Sequence, residues 1–221
     1  EPDDLRALLA RAGGNPLHLR ELVVAVVRDG AAKPSAHGLR IRSGPLPARL
    51  RRAIAAHYTN LDPSIRYYAE LLAVAGSLPA PTEPSDVEAV DALETTGLAE
   101  HDPAGGHRLV EPLDREILLG LLSSPEREER SIDAGGRLSA SGDPALRRRA
   151  VAVLAGTTRP PSTADLEWAS AEAHNHKEHA LAVELADLAI LLAPERGETV
   201  TAEALLIRAN ALSVAGRSDD A

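Results

Sequence analysis

Cysteine, methionine and phenylalanine are absent from this chain, and it has one tryptophan and three tyrosines. Without cysteine there is neither a disulfide framework nor a thiolate metal site, which fits a reducing compartment. With so few aromatic rings, the core has to be assembled from Leu, Val, Ile and Ala through many small contacts. The chain opens Glu1-Pro2-Asp3-Asp4 rather than with a basic and then apolar leader, so no signal peptide is expected. No uninterrupted apolar run reaches the ~18 residues of a membrane span. Together these absences predict a soluble, cytoplasmic protein with no membrane partner. The missing methionine predicts that the 221 residues are a piece of a longer protein, and the final Gly216–Ala221 reads as the start of a helix that has been cut.

What is present favours helix. Ala, Leu, Arg and Glu are abundant and all are good helix formers. A chain of 221 residues is long enough for more than one core. The net charge is −9, whereas a nucleic-acid-binding domain usually presents a basic face.

The stretch Gly13-Gly14-Asn15-Pro16-Leu17-His18-Leu19-Arg20-Glu21-Leu22-Val23 organises the N-terminal region. Its glycines can end a helix running from Pro2 to Ala12, because glycine takes positive φ at little steric cost. Asn15 is a good N-cap and Pro16 falls at the first helical position. Leu17, Leu19, Leu22, Val23, Val26 and Val27 then supply the apolar set of a second helix ending near Asp29-Gly30. Residues 31–45 read as a polar linker with one short strand at Leu39-Arg40-Ile41.

Residues 46–122 read as a compact unit. Pro47 starts a helix turning Leu50, Ile54 and Ala55 inward. Asp62-Pro63 caps another, ended by Gly76. A Pro-rich turn covers 78–84, and Ser85 with Glu88 has the spacing of a capping box. That third helix carries Val87, Val90 and Leu93. Leu98–His101 and His107–Val110 flank a Gly-containing turn, the pattern of a β-hairpin. Three helices followed by a hairpin is the order of a winged helix-turn-helix. Pro112 opens a further helix with Leu113, Ile117, Leu118 and Leu121 inward. Residues 123–161 read as connecting helices, the first weakened at Gly135-Gly136, and 162–221 as helical hairpins with small Ala contacts.

The wording of these segments, taken in order, resembles one family. G-N-P-L-x-L-R-E-L, L-P-x-R-L-R-R-A-I-A, L-D-P, L-L-A-V-A-G, L-x-x-T-G-L-A-E and R-L-V-x-P-L-x-R-E-I-L are similar to the middle of the large ATP-binding LuxR-type regulators, STAND ATPases akin to the maltose activator. The resemblance implies a mainly α chain: the end of an ATPase helical lid in 1–30, a linker in 31–45, a winged-helix domain in 46–122, and the truncated start of a tetratricopeptide-like sensor in 162–221. It implies ATP or ADP as the cofactor of the full-length protein, with Gly14, Asn15 and Pro16 near the adenine and Glu111 near the phosphates. It also implies the ATPase core, a C-terminal DNA-binding domain and an inducer or protein on the helical repeats as partners. Relatives tend to carry His where this chain has Glu111, and a carboxylate repels a phosphate. Either Glu111 points away or sensing through that position is lost.

No G-x-x-x-x-G-K-[ST] phosphate loop occurs, so no catalytic residue is assigned and no nucleotide binding is expected of this piece by itself. His174, His176 and His179 do not share one helical face, so no metal site is assigned either. The third helix carries Asp86, Glu88, Asp91 and Glu94 without Lys or Arg, which argues against phosphate contact there. Arg40, Arg42, Arg49, Arg51 and Arg52 form the best basic cluster, read first as a solvated or domain-bridging helix face and second as a contact for nucleic acid or nucleotide phosphates. The alternatives to a regulatory relay are a plain helical interaction scaffold without nucleotide dependence and a DNA-binding winged helix.

Overall fold

The computed structural model describes residues 2–28, 32–35, 38–41, 46–103 and 105–214, with the backbone alone for 2–5, 7, 32–35 and 38–41. The chain is mainly α, as its composition predicts, with a small antiparallel sheet. It divides into two compact units, Glu1–Arg127 and Glu128–Ala221. No described helix is long and apolar enough to cross a membrane.

In the first unit, helices α1 (Pro2–Arg11) and α2 (Pro16–Arg28) form the corner read from the sequence. Leu17 N–H and His18 N–H donate to the Asn15 side-chain oxygen at 3.0 and 3.3 Å, so Asn15 caps α2. The apolar set of α2 is divided, however. Leu22 and Val26 are buried, whereas Leu17 and Val27 are 59% and 66% exposed. Apolar residues on both sides of α2 leave sequence periodicity with no preferred face. Where a linker with one strand is expected, two strands pair antiparallel, β1 (Ala32–Ser35) and β2 (Gly38–Ile41). Pro34 tolerates this position because a two-stranded ribbon consists of edges only.

Helices α3 (Ala48–Thr59), α4 (Pro63–Ala75) and α5 (Pro84–Thr95) follow, with the strand β3 (Ser77–Leu78) between the last two. Asp62 caps α4 by accepting from Ser64 N–H at 3.0 Å, and Gly76 ends it at φ 81°. Helix α5 begins two residues earlier than a capping box at Ser85 places it. Its N-cap is Glu83, without a side-chain bond, because Pro84 presets the first helical φ and places Ser85 inside the helix. Strands β4 (Ala99–His101) and β5 (His107–Leu109) make the expected hairpin, and β3 pairs with β5, giving the order β3-β5-β4. Two residues carry no alternation, so β3 is invisible in the sequence. Gly106, at φ 105°, closes this junction: a Cβ there would lie 2.0 Å from the Leu78 carbonyl oxygen.

Helix α6 (Pro112–Leu121) packs on α3 and α4. Leu113, Ile117 and Leu118 are buried as expected, but Leu121 is exposed. Arg115 Nε donates to the Ala73 carbonyl at 2.7 Å, satisfying a carbonyl in the last turn of α4. Leu8, Ala12, Leu22, Val26, Leu50 and Leu113 form one core cluster joining α1, α2, α3 and α6. Each fully buried leucine contributes about 1.5–3 kcal/mol.

Helix α7 (Ser124–Ala140) has most of its length in the second unit, which continues with α8 (Pro144–Ala155), α9 (Thr163–Asn175), α10 (His179–Leu192) and α11 (Ala202–Val214). Asp143 caps α8 through Ala145 N–H at 2.7 Å, and Ser162 caps α9 through Asp165 N–H at 3.1 Å. The glycine pair does not interrupt α7. Gly135 is a site of close packing, since a Cβ there would lie 2.5 Å from Leu154 Cγ, whereas Gly136 faces open space. Ala169, Ala173, Ala182, Ala186, Ala189 and Ala211 are fully buried, so α9, α10 and α11 approach closely. The cut helix expected after Gly216 lies outside the described residues.

The two glycine environments predict opposite effects. Gly106→Ala meets backbone at a positive φ, so urea unfolding should show a loss of at least about 1–3 kcal/mol. Gly136→Ala, exposed in a helix interior, should gain about 0.5–1 kcal/mol.

Candidate functional site

The sequence-read residues converge at the start of α6. Glu111 is the N-cap residue of this helix and Pro112 its first residue. The corner between α1 and α2 rests on both. Gly13, at φ 61°, approaches so closely that a Cβ would lie 2.6 Å from Pro112 Cδ and 2.7 Å from Glu111 Oε2. Asn15 Nδ2 donates to Glu111 Oε1 at 3.3 Å, across 96 positions of sequence. His18 Nδ1 stands 3.5 Å from Glu111 Oε2, an ion-pair distance without hydrogen-bond geometry; both atoms are buried. Asn15 therefore serves twice, capping α2 with its oxygen and holding Glu111 with its nitrogen. Gly14 and Pro16 are exposed beside it, and a Cβ on Gly14 would meet nothing within 4 Å.

Behind Glu111 lies a second carboxylate. Asp114, in the first turn of α6, accepts from the Tyr58 hydroxyl of α3 at 2.9 Å, and both side chains are buried. Burial first, then the charge of Asp114, pushes the Tyr58 hydroxyl far above the ordinary phenol range. Burial also holds the Asp114 carboxyl above the usual carboxylate range. The Tyr58 hydrogen bond opposes this rise, Glu111 adds to it, and His18 and His57 reduce it. The N-terminal end of α6 favours negative charge, which offsets part of the cost of placing two carboxylates together. On the rim, Arg11 clasps Glu116 through two hydrogen bonds of 3.0 and 2.7 Å.

This arrangement can hold two elements together and register their separation. It does not fit a phosphate. Glu111 is turned inward onto Asn15 and His18, Asp114 stands behind it, and the Arg11 guanidinium on the rim is held by Glu116. Tyr58 is 1% exposed, and its hydroxyl already donates to Asp114.

Sequence reasoning brought Asn15 and Glu111 forward and missed His18, Tyr58 and Asp114. The last two carry no local motif; only the sparseness of aromatic residues marks Tyr58 as a large side chain seeking a buried partner. His107 belongs to the hairpin, and His174 and His179 belong to the second unit. His107 Nδ1 is 3.0 Å from Glu94, which ties the hairpin to α5. His174 and His179 meet edge to face with ring centroids 5.2 Å apart. Among the described residues, no group of three or more His, Cys, Asp or Glu could hold a metal ion. Arg49, Arg51 and Arg52 lie exposed on α3. Arg42 lies outside the described residues, as does the Arg40 side chain.

The sequence matches no family model, no curated protein and no solved structure.

The raised Asp114 carboxyl sets a pH dependence. From about pH 4 the unfolded chain releases this proton while the folded chain retains it. The contribution of the group to stability therefore falls as pH rises, and levels off once the folded carboxyl has ionised. Asp114→Asn keeps an acceptor for Tyr58 and removes the ionisation. In urea unfolding between pH 4 and 8 the variant should gain on the wild type as pH rises, and parallel curves would contradict the assignment. Tyr58→Phe leaves the buried carboxyl without its donor and should cost about 1–3 kcal/mol.

Proposed function

We propose that this chain is the regulatory relay of an ATP-dependent transcriptional regulator of the LuxR type, coupling a nucleotide-dependent core to a helical sensor. The observation that carries this reading is the seating of the Gly13–Pro16 corner on Glu111 and Pro112. The segments that correspond by resemblance to the end of the ATPase lid and to the last helix of the winged-helix domain are thereby one docked element. In the relay, the docked corner is the closed state and its release is the open state. The α9–α11 hairpins offer the surface for an inducer or protein. Nucleotide and DNA contacts are assigned to the ATPase core and the terminal DNA-binding domain of the intact regulator.

Glu111 also gives weight to a second reading. A corner closed by Asn15 and His18 alone needs no phosphate, as in a helical scaffold without nucleotide dependence. The double variant Asn15→Ala, Glu111→Ala in the intact regulator separates the two. The relay reading expects ADP affinity by calorimetry and the inducer midpoint of a transcription reporter to move by about fivefold or more. If hydrogen exchange shows the corner opened while both quantities stay at wild-type values, the relay reading fails and the scaffold stands.

A further inference from the structure

Charge is unevenly distributed along a chain whose net charge is −9. Residues 5–60 contain ten Lys and Arg against two Asp and Glu. Part of this excess lies on α3, where Arg49, Arg51 and Arg52 are exposed. Among the described residues none of the three has an acidic partner, and Arg52 reaches only the Ala48 carbonyl of its own helix at 3.3 Å. The first turn of α3 has no acidic residue, and its N-cap, Pro47, makes no side-chain cap. A cation in the first turn opposes the helix dipole, so Arg49 weakens the helix that carries it and is favoured by an external anion.

The same unit carries a complementary surface. Helix α5 and its cap hold Glu83, Asp86, Glu88, Asp91 and Glu94 with no basic residue. Glu83, Glu88 and Asp91 are exposed and have no cationic partner among the described residues. Arg49 and Arg52 are three positions apart, as are Glu88 and Asp91, so each pair forms neighbouring charges on one helical turn. The exposed Val87 adds apolar area beside the acidic pair. Within one copy α3 packs on α6, whereas α5 packs on α4 and β4.

We propose that the arginine face of α3 docks on the acidic face of α5 in a second copy of this chain. Each copy carries both halves of the contact, and the attraction is electrostatic, screened by salt within a Debye length. Nucleic acid is the less favoured occupant, because a polyanion would pair with the arginines alone and be repelled by the acidic face of α5, whereas a second copy satisfies both faces.

Sedimentation of the 221-residue chain tests this. At about 20 mM salt the average mass should exceed the 23.3 kDa monomer, and it should return to the monomer value at about 0.5 M. Arg49→Glu with Arg52→Glu should weaken association at least about tenfold, and so should Glu88→Arg with Asp91→Arg. Mixing the two reversed proteins should restore association, because each then offers the charge the other needs. The neutral variant Glu88→Gln, Asp91→Asn supplies the acidic arm if the reversal disturbs folding, and it too should weaken association. A wild-type chain that stays monomeric at about 100 µM in low salt, or a mixture that stays monomeric, overturns the proposal. So does a chain that remains monomeric yet binds duplex DNA through Arg49 and Arg52.

Discussion

The first unit depends on a missing atom. Gly13 has no Cβ, and that absence lets the turn between α1 and α2 lie against Pro112 and Glu111 at a distance no other residue permits. The positive φ that the turn requires and the close approach that the docking requires fall on the same residue, so glycine satisfies two demands at one position. Once the turn is seated, Asn15 can reach Glu111 and His18 can stand over it. Leu8, Ala12, Leu22 and Val26 then close on Leu50 and Leu113 beneath. The polar contacts set the register of the corner. The apolar cluster supplies most of the free energy that holds it, since one hydrogen bond contributes about 1 kcal/mol net and each buried leucine more.

Glu111 shows how one residue changes what a site can do. A cation or neutral imidazole at the head of α6 would leave room for an anionic ligand. A carboxylate there has to be accommodated from within: Asn15 donates to it, His18 stands 3.5 Å away, and the positive end of α6 favours it. Asp114 lies one turn further in, held by Tyr58 and kept above the ordinary carboxylate range by burial. The two acids are both held by contacts within the protein, Glu111 by Asn15 and Asp114 by Tyr58.

Local chemistry was readable wherever a single residue carries it. The caps at Asn15 and Asp62 and the stop at Gly76 follow from side-chain reach and glycine's φ freedom, and the helices begin and end there. Legibility ended where local signals compete or the cause lies elsewhere in the chain. Strand β3 exists because β5 pairs with it, not because Ser77-Leu78 alternate. Helix α5 starts at Pro84 because proline outranks the Ser85 cap. The faces of α2 could not be told apart because Leu17 and Val27 are as apolar as Leu22 and Val26. In the candidate site, Asn15 and Glu111 were each visible through resemblance, but their mutual bond was not. Tyr58 and Asp114, 56 positions apart, left no local trace at all.

Native-state hydrogen exchange on Gly13→Ala tests the central claim most directly. A Cβ at this position has to push the corner off Pro112 and Glu111 while leaving α4 and α5 untouched. The account predicts that the amides of α2 lose at least about tenfold protection, a local opening of roughly 1.4 kcal/mol, while those of α4 and α5 keep theirs. Unchanged protection in α2, or an equal loss across all three helices, would contradict it.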